Sequence, residues 1–213
     1  MNYKAVLFDM DGVIVASEQL HVAAFQATLK KYGYNLTHEQ YKQFFAGRTD
    51  EAGFNLYFES IGKTADLALI MDEKAKQYLQ LATNKLIPYP NIVEFIDNLI
   101  KKKIKLALVT SSLRVEAEIT LKTFNLTDSF SVVITAEDIV HSKPNPEGYL
   151  KGAKILRIDP GECIVIEDAP KGVQAAKSAG MRVVAVTNTH TKDELKDATI
   201  IVDELLPGCI DSL

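Results

Sequence analysis

Two aspartates one residue apart, followed at once by glycine, close the first apolar run of the chain in "AVLFDMDG" (5–12). Similar chemistry recurs three more times. Thr110, Ser111 and Ser112 follow "IKLALV" (104–109), Lys143 lies in "HSKPNPEGY" soon after "SVVIT" (131–135), and Glu167 and Asp168 end "CIVIED" (163–168). Singly, each has an ordinary explanation. Asp-x-Asp-Gly makes a turn, and "TSS" and "ED" can cap helices. Jointly they say more. Ligands of open parallel sheets bind beyond the carboxyl ends of the strands, so these acids, hydroxyls and the lysine would share one edge. Carboxylates crowded together disfavour one another's ionisation. A divalent cation removes that cost, and Asp, Glu, carbonyl and water oxygens suit Mg²⁺.

The elements that would position these groups follow from hydrophobic pattern. The runs 4–9, 104–110, 131–135, 163–168 and 182–187, with a weaker one at 199–203, are continuously apolar rather than alternating. That is the pattern of parallel strands buried on both faces. Helical periodicity fills most of the gaps: "PNIVEFIDNLIKKK" (90–103) sets Ile92, Phe95, Ile96 and Leu99 on one face, with further helices in "RVEAEITLKTFN" (114–125) and "PKGVQAAKSAG" (170–180). The fold class expected is α/β, a Rossmann-like parallel sheet core with helices on both faces. From 17 to 85 no strand-like run occurs, and four helical stretches follow one another. Thr37 with Gln40 makes a capping box before an apolar run, and Gly33 and Gly62 stand where helices should stop. The domains expected are a core of 1–16 plus 86–213 and an inserted four-helix cap of 17–85, with connections near 12–17 and 84–90. The C-terminal "ELLPGCIDSL" (204–213) reads as a short helix over the sheet edge.

"FDMDGV", "VTSS", "SKPNPEGY" and "VIEDAPKGVQAAKSAGM", in this order and with a helical insert after the first, resemble the haloacid dehalogenase superfamily, and within it the β-phosphoglucomutase-like branch. The resemblance covers nearly the whole chain. It implies a movable helical cap, Mg²⁺ and a phospho-aspartyl intermediate. On that resemblance Asp9 is the nucleophile, and Asp11 is the acid for the leaving oxygen and then the base for water. Thr110 and the Ser111 amide hold phosphate oxygens, and Lys143 balances their charge. Asp9, the Asp11 carbonyl, Glu167 and Asp168 form the metal site. Dehalogenases of the superfamily lack an acid at the second position, because a halide leaves without a proton. Phosphonate hydrolases have a small residue there. Asp11 therefore favours phosphoryl transfer, which is mostly positioning and charge neutralisation. The expected function is Mg²⁺-dependent hydrolysis of small phosphate esters, sugar phosphates first. The alternatives are a β-phosphoglucomutase-type hexose-phosphate mutase and, of another class, a non-catalytic phosphate-binding protein. The last fits poorly with a nucleophile and an acid both being present.

The cap should select the substrate, since it closes over the leaving group. His21 matches a histidine near the mutase hinge, although a lone His on such a helix is commonly structural. "AGRTDEAG" (46–53) resembles a substrate loop, which makes Gly47 and Arg48 binding candidates together with Ser111, Ser112 and His21. Lys74 and Lys76, on the last cap helix, read as a solvated face first, with the cleft as the alternative for each. Two positions depart from the pattern. Where the mutase resemblance implies an arginine that grips a second phosphate, this chain has Asp50, and Ala16 precedes Ser17 where many relatives have an acid before the hydroxyl residue.

Composition bounds the rest. The chain has 213 residues, 47% hydrophobic and 24% charged, with a net charge of −4. Phosphate-backbone binding needs clustered cations, so nucleic acid is not expected, and "KKKIK" (101–105) reads as a solvated helix end. Two cysteines without CxxC spacing give no zinc or disulfide framework, and Cys163 reads as a small hydrophobe. No leader-like segment and no run near the roughly 20 apolar residues of a membrane span occur. A cytoplasmic monomer acting on a small phosphorylated metabolite is the expectation.

Overall fold

The computed structural model describes residues 3–83 and 85–213. Asn84, in the second expected connection, lies outside the described residues. Each of the six apolar runs forms a strand: β1 (Ala5–Phe8), β2 (Lys105–Val109), β3 (Val132–Ile134), β4 (Cys163–Glu167), β5 (Arg182–Val186) and β6 (Ile200–Val202). All pair in parallel in the order β3-β2-β1-β4-β5-β6. This is the Rossmann-like order expected of the α/β fold, and the strand order reverses between β1 and β4, where such sheets bind ligands. The register sets Phe8 level with both Leu108 and Ile166. Asp9, Val109 and Glu167 therefore come next on three adjacent strands.

The α-helices among the described residues are α1 (Glu18–Lys31), α2 (His38–Phe44), α3 (Asp50–Ser60), α4 (Leu67–Ala82), α5 (Ile92–Lys101), α6 (Arg114–Thr123), α7 (Glu147–Leu156) and α8 (Pro170–Ser178). Alternation along the strands feeds two apolar layers. Val6, Phe8, Leu106, Leu108, Ile164 and Ile166 face α5 and α6, through Ile92, Phe95, Ile96, Leu99, Ala117 and Leu121. Ala5, Leu7, Ala107, Val109 and Val165 face α7 and α8, through Tyr149, Ala153, Leu156, Val173 and Ala176. A third cluster, rich in aromatic rings, binds the insert helices to one another through Phe25, Leu29, Tyr41, Phe45, Phe54, Tyr57, Phe58 and Ile70. The insert is not wholly separate, however. Ala24, Tyr78 and Ala82 belong to the α5/α6 layer of the core.

The two connections run side by side. Ala16 N donates to the Ile87 carbonyl at 3.0 Å, and Tyr89 N donates to that of Ile14 at 3.0 Å. The Thr37–Gln40 capping box forms. Helix α7 was not foreseen in the sequence. Gly148 and Gly152 interrupt its apolar stripe because they lie against the sheet, where an added Cβ would come 3.0 Å from Val109 and 3.1 Å from Leu7. The expected C-terminal helix is absent: 204–213 is a succession of turns and bends, anchored by buried Leu205 and Ile210. Pro207 and Gly208 break the helical pattern there, and Gly208 takes a φ of 87°.

Candidate active site

Asp9 follows β1 directly, its amide donating to the Ile166 carbonyl on β4 at 3.0 Å. Its Oδ1 accepts from Lys143 Nζ at 2.6 Å. The same ammonium donates to Glu167 Oε1 at 2.7 Å and stands 5.1 Å from the centre of the Tyr149 ring. Tyr149 also donates its hydroxyl to Glu167 Oε1, at 2.8 Å. The other Glu167 oxygen accepts from the backbone N–H groups of Asp168 and Ala169, at 2.9 and 3.1 Å. A carboxylate offers about four acceptor positions, so Glu167 is fully engaged.

Asp168 differs. Its Oδ2 accepts from the Thr189 hydroxyl, while its buried Oδ1 has no partner among the described residues. Asp9, Glu167 and Asp168 bring carboxylate oxygens within 4.8 Å of one another, a spacing that can hold a metal ion. With Lys143 the one ammonium among them, burial above all, and then the neighbouring carboxylates, push the acids of Asp9 and Asp168 well above the usual carboxylate range. Burial works against the charge of Lys143, yet Asp9 and Glu167 hold its ammonium well above the usual lysine value. An oxygen without a partner inside an acidic cluster fits a hard cation. Two glycines make room for this packing. A Cβ on Gly12, whose φ is 87°, would fall 2.0 Å from Asp168 Oδ2, and one on Gly172 would fall 1.6 Å from Glu167 Oε1.

Asp11 is caged by donors. Its Oδ1 accepts from the Ser17 hydroxyl and from His21 Nε2 at 3.2 Å, and its Oδ2 from Ser112 Oγ at 2.6 Å. Burial opposes its charge, but His21, Ser112 and Ser17 outweigh burial and hold the carboxyl below its usual range. Thr110 is buried, its Oγ1 accepting from the Ser112 amide at 3.0 Å and lying 3.5 Å from Asp11 Oδ2. The Ser17 contact bears on the Ala16 departure, because the hydroxyl that reaches Asp11 comes from position 17.

The solvated face expected for Lys74 is not found. Lys74 is completely buried, 2.8 Å from Glu116 on α6 and 2.9 Å from Asp50 on α3. It also lies 3.2 Å from His21 Nδ1. An ammonium only donates, so Nδ1 accepts and Nε2 carries the proton given to Asp11. The sequence pattern concealed this because both acids lie far from Lys74 along the chain. Lys76 is solvated as expected, paired with Asp72.

A cavity of about 540 Å³ lies between the sheet edge and the insert, and the candidate Thr110, buried behind Ser112, is not among its lining residues. Asp9, Asp11, His21, Gly47, Arg48, Ser111, Ser112, Lys143, Glu167 and Asp168, all sequence candidates, line it. Asp50, Lys171, Thr189 and His190 line it too and were not candidates. Arg48 donates to the carbonyls of Gln43 and Phe44, and Lys171 to that of Ala46. Carboxylate, ammonium and hydroxyl groups arranged in this way can attack, protonate and neutralise a tetrahedral anion. A profile of the haloacid dehalogenase-like hydrolases matches residues 6–186, a span that carries every one of the strand-end groups.

The chain belongs to the haloacid dehalogenase-like hydrolases.

Similar proteins include the validoxylamine A 7'-phosphate phosphatase of Streptomyces hygroscopicus subsp. limoneus, 30% identical over 95% of this chain and 94% of that protein. Hexitol phosphatase A of Escherichia coli is 31% identical over 96% of this chain and 93% of its own length. Among solved structures, a β-phosphoglucomutase from Clostridium difficile superposes with a TM-score of 0.87 and 26% identity, covering 99% of this chain and 95% of that one. No helix among the described residues of this hydrolase is long and apolar enough to cross a membrane.

Proposed function

We propose that this haloacid dehalogenase-like hydrolase is a Mg²⁺-dependent phosphatase that hydrolyses small phosphate esters, sugar phosphates first, through an aspartyl-phosphate on Asp9. The observation that carries this reading is the pairing of Asp9, held on Lys143 at 2.6 Å, with Asp11 lining the same cavity. Binding alone needs neither a nucleophile nor an acid beside it. Relatives named as a validoxylamine A 7'-phosphate phosphatase and a hexitol phosphatase support the substrate class.

Asp9 attacks phosphorus, and Lys143 neutralises charge on the nucleophile and the transferring group. Thr110 and the Ser111 amide hold phosphoryl oxygens, with Ser112 beside them. Asp11 takes a proton from solvent as the substrate enters, turns from its hydroxyl and imidazole donors to the leaving oxygen, and gives that proton to it. The anionic substrate favours this protonation, since a nearby like charge raises a carboxyl pKa. Asp11 then removes a proton from the water that hydrolyses the aspartyl-phosphate. Splitting transfer into two steps is the advantage of a covalent carboxylate.

Asp9, Asp168 and the Asp11 carbonyl would hold Mg²⁺, an ion that keeps several of its waters and so needs few protein ligands. Bound there, it would neutralise the phosphoryl charge. Glu167 belongs to the acidic cluster, and its filled acceptor positions suit a role in aiming Lys143. We place the domain boundaries at 17 and 85, with 17–85 acting as a cap and Gly47, Arg48 and His21 meeting the leaving group. Asp50, at the position of the mutase arginine, is paired with Lys74, which favours hydrolysis over mutase action. The test is phosphate release from a panel of sugar phosphates, with and without Mg²⁺. Release that needs Mg²⁺ is expected; no release from any ester, or interconversion of hexose phosphates with little release, would overturn the reading.

A further inference from the structure

We propose that Thr189, on the loop leaving β5, is a positioning residue for the cation: it fixes the Asp168 carboxylate so that one oxygen is committed and the other is presented to the metal. This rests on the metal site proposed above. A carboxylate on its terminal torsion has a broad, roughly two-fold preference, so burial alone does not decide which oxygen faces the cluster. Here the two oxygens are treated differently. Oδ2 accepts from Thr189, and Oδ1, buried in a residue only 3% exposed, has no partner among the described residues. The Gly12 wall beside Oδ2 gives room without a side chain to hold it.

The loop is itself fixed. With the cation bound, Asp168 is ionised and can only accept, so the single Thr189 hydroxyl proton points to Oδ2. The Thr189 oxygen is then an acceptor, and His190 Nδ1 lies 2.8 Å from it and 3.0 Å from the Asp168 carbonyl. A carbonyl cannot donate, so a proton on Nδ1 serves both. Asn188 donates to the Gly12 carbonyl at 2.8 Å. Three consecutive residues thus reach from the end of β5 to the ends of β4 and β1, tying the Asp168 loop to the turn that follows Asp11. Groups that orient metal ligands typically change affinity 10- to 100-fold when removed. Thr189 lies at an exposed rim, where water can partly replace it, so about tenfold is expected.

The test measures metal binding by the whole chain, with Mn²⁺ followed by electron paramagnetic resonance and Mg²⁺ by calorimetry. Thr189→Val and Thr189→Ala both remove the donor, one keeping the branched shape and the other the space. Both should bind about tenfold more weakly than wild type, while Thr189→Ser should bind as wild type does. His190→Ala leaves the hydroxyl in place and should change affinity much less. At saturating Mg²⁺ the Val and Ala variants should regain most of the wild-type kcat. Wild-type affinity in the Val and Ala variants would overturn the proposal, as would a loss in the Ser or His190 variant equal to theirs. If the wild type itself binds neither ion, the metal reading of the site falls; if it binds and the Val and Ala variants bind equally well, the role of Thr189 alone falls.

Discussion

Replacing Lys74 by methionine keeps an unbranched side chain one atom shorter and removes the ammonium from a site with no exposure to solvent. Asp50 and Glu116 are left facing each other, and His21 Nδ1 loses its donor. Removing one partner of a buried ion pair costs about 3–5 kcal/mol. For a chain of this length each kcal/mol lowers the melting temperature by about 2–4 °C, so the fall should be roughly 6–20 °C. The lower half of that range is expected, because the orphaned acids can share a proton and burial already raises the Glu116 carboxyl. Adding Glu116→Gln to Lys74→Met should recover part of the loss, since Gln keeps an oxygen for the Leu113 amide that Glu116 now accepts from at 3.1 Å. Calorimetry of the two variants beside wild type decides the matter. A fall below about 2 °C for Lys74→Met, or no recovery in the double variant, would refute a closed buried network. The bond has a dynamic consequence too. It joins α4 of the insert to α6 of the core, so a cap that swings open as a rigid body must break or carry with it a buried ion pair.

Asp168→Asn should keep the fold and lose activity at ordinary Mg²⁺, with circular dichroism unchanged and phosphate release recovering only as Mg²⁺ is raised; wild-type release at low Mg²⁺ would remove Asp168 from the site. Gly172→Ala should destabilise the chain by about 1–3 kcal/mol through overpacking and lower kcat as well, because its Cβ would meet Glu167 Oε1 at 1.6 Å and displace the partner of Lys143. Thermal melts and kcat measured on the same sample check both effects.

The strands and the strand-end groups were legible because each is written locally: an apolar run, then the reactive residues. The α2 capping box was legible for the same reason. What the sequence concealed lies in contacts between distant segments. Lys74 has the spacing of a solvated helix residue, and only the approach of α3 and α6 makes it a buried cation. Thr189 reaches Asp168 across 21 residues and Asn188 reaches Gly12 across 176, in a loop whose composition looks like any polar turn. The α7 stripe was hidden because glycine, which reads as a helix breaker, is what close helix–sheet packing requires at two of its positions. The C-terminal segment erred in the opposite direction, since its apolar residues follow a helical spacing that Pro207 and Gly208 do not permit.

The central claim, an aspartyl-phosphate formed on Asp9 and released with the help of Asp11, is tested most directly by trapping it. Asp11→Asn keeps the backbone carbonyl and nearly the same shape, but can neither donate an acidic proton nor take one from water. General acid–base catalysis contributes about 10²- to 10⁴-fold, so steady-state turnover should fall by that order. An aryl phosphate needs little help to leave, so rapid quenching should show a burst of phenol, and borohydride reduction of the quenched protein should convert residue 9 to homoserine, found by peptide mass spectrometry. An alkyl phosphate should give no burst. Wild-type turnover of both esters by Asp11→Asn, or a burst with no modification at residue 9, would contradict the mechanism.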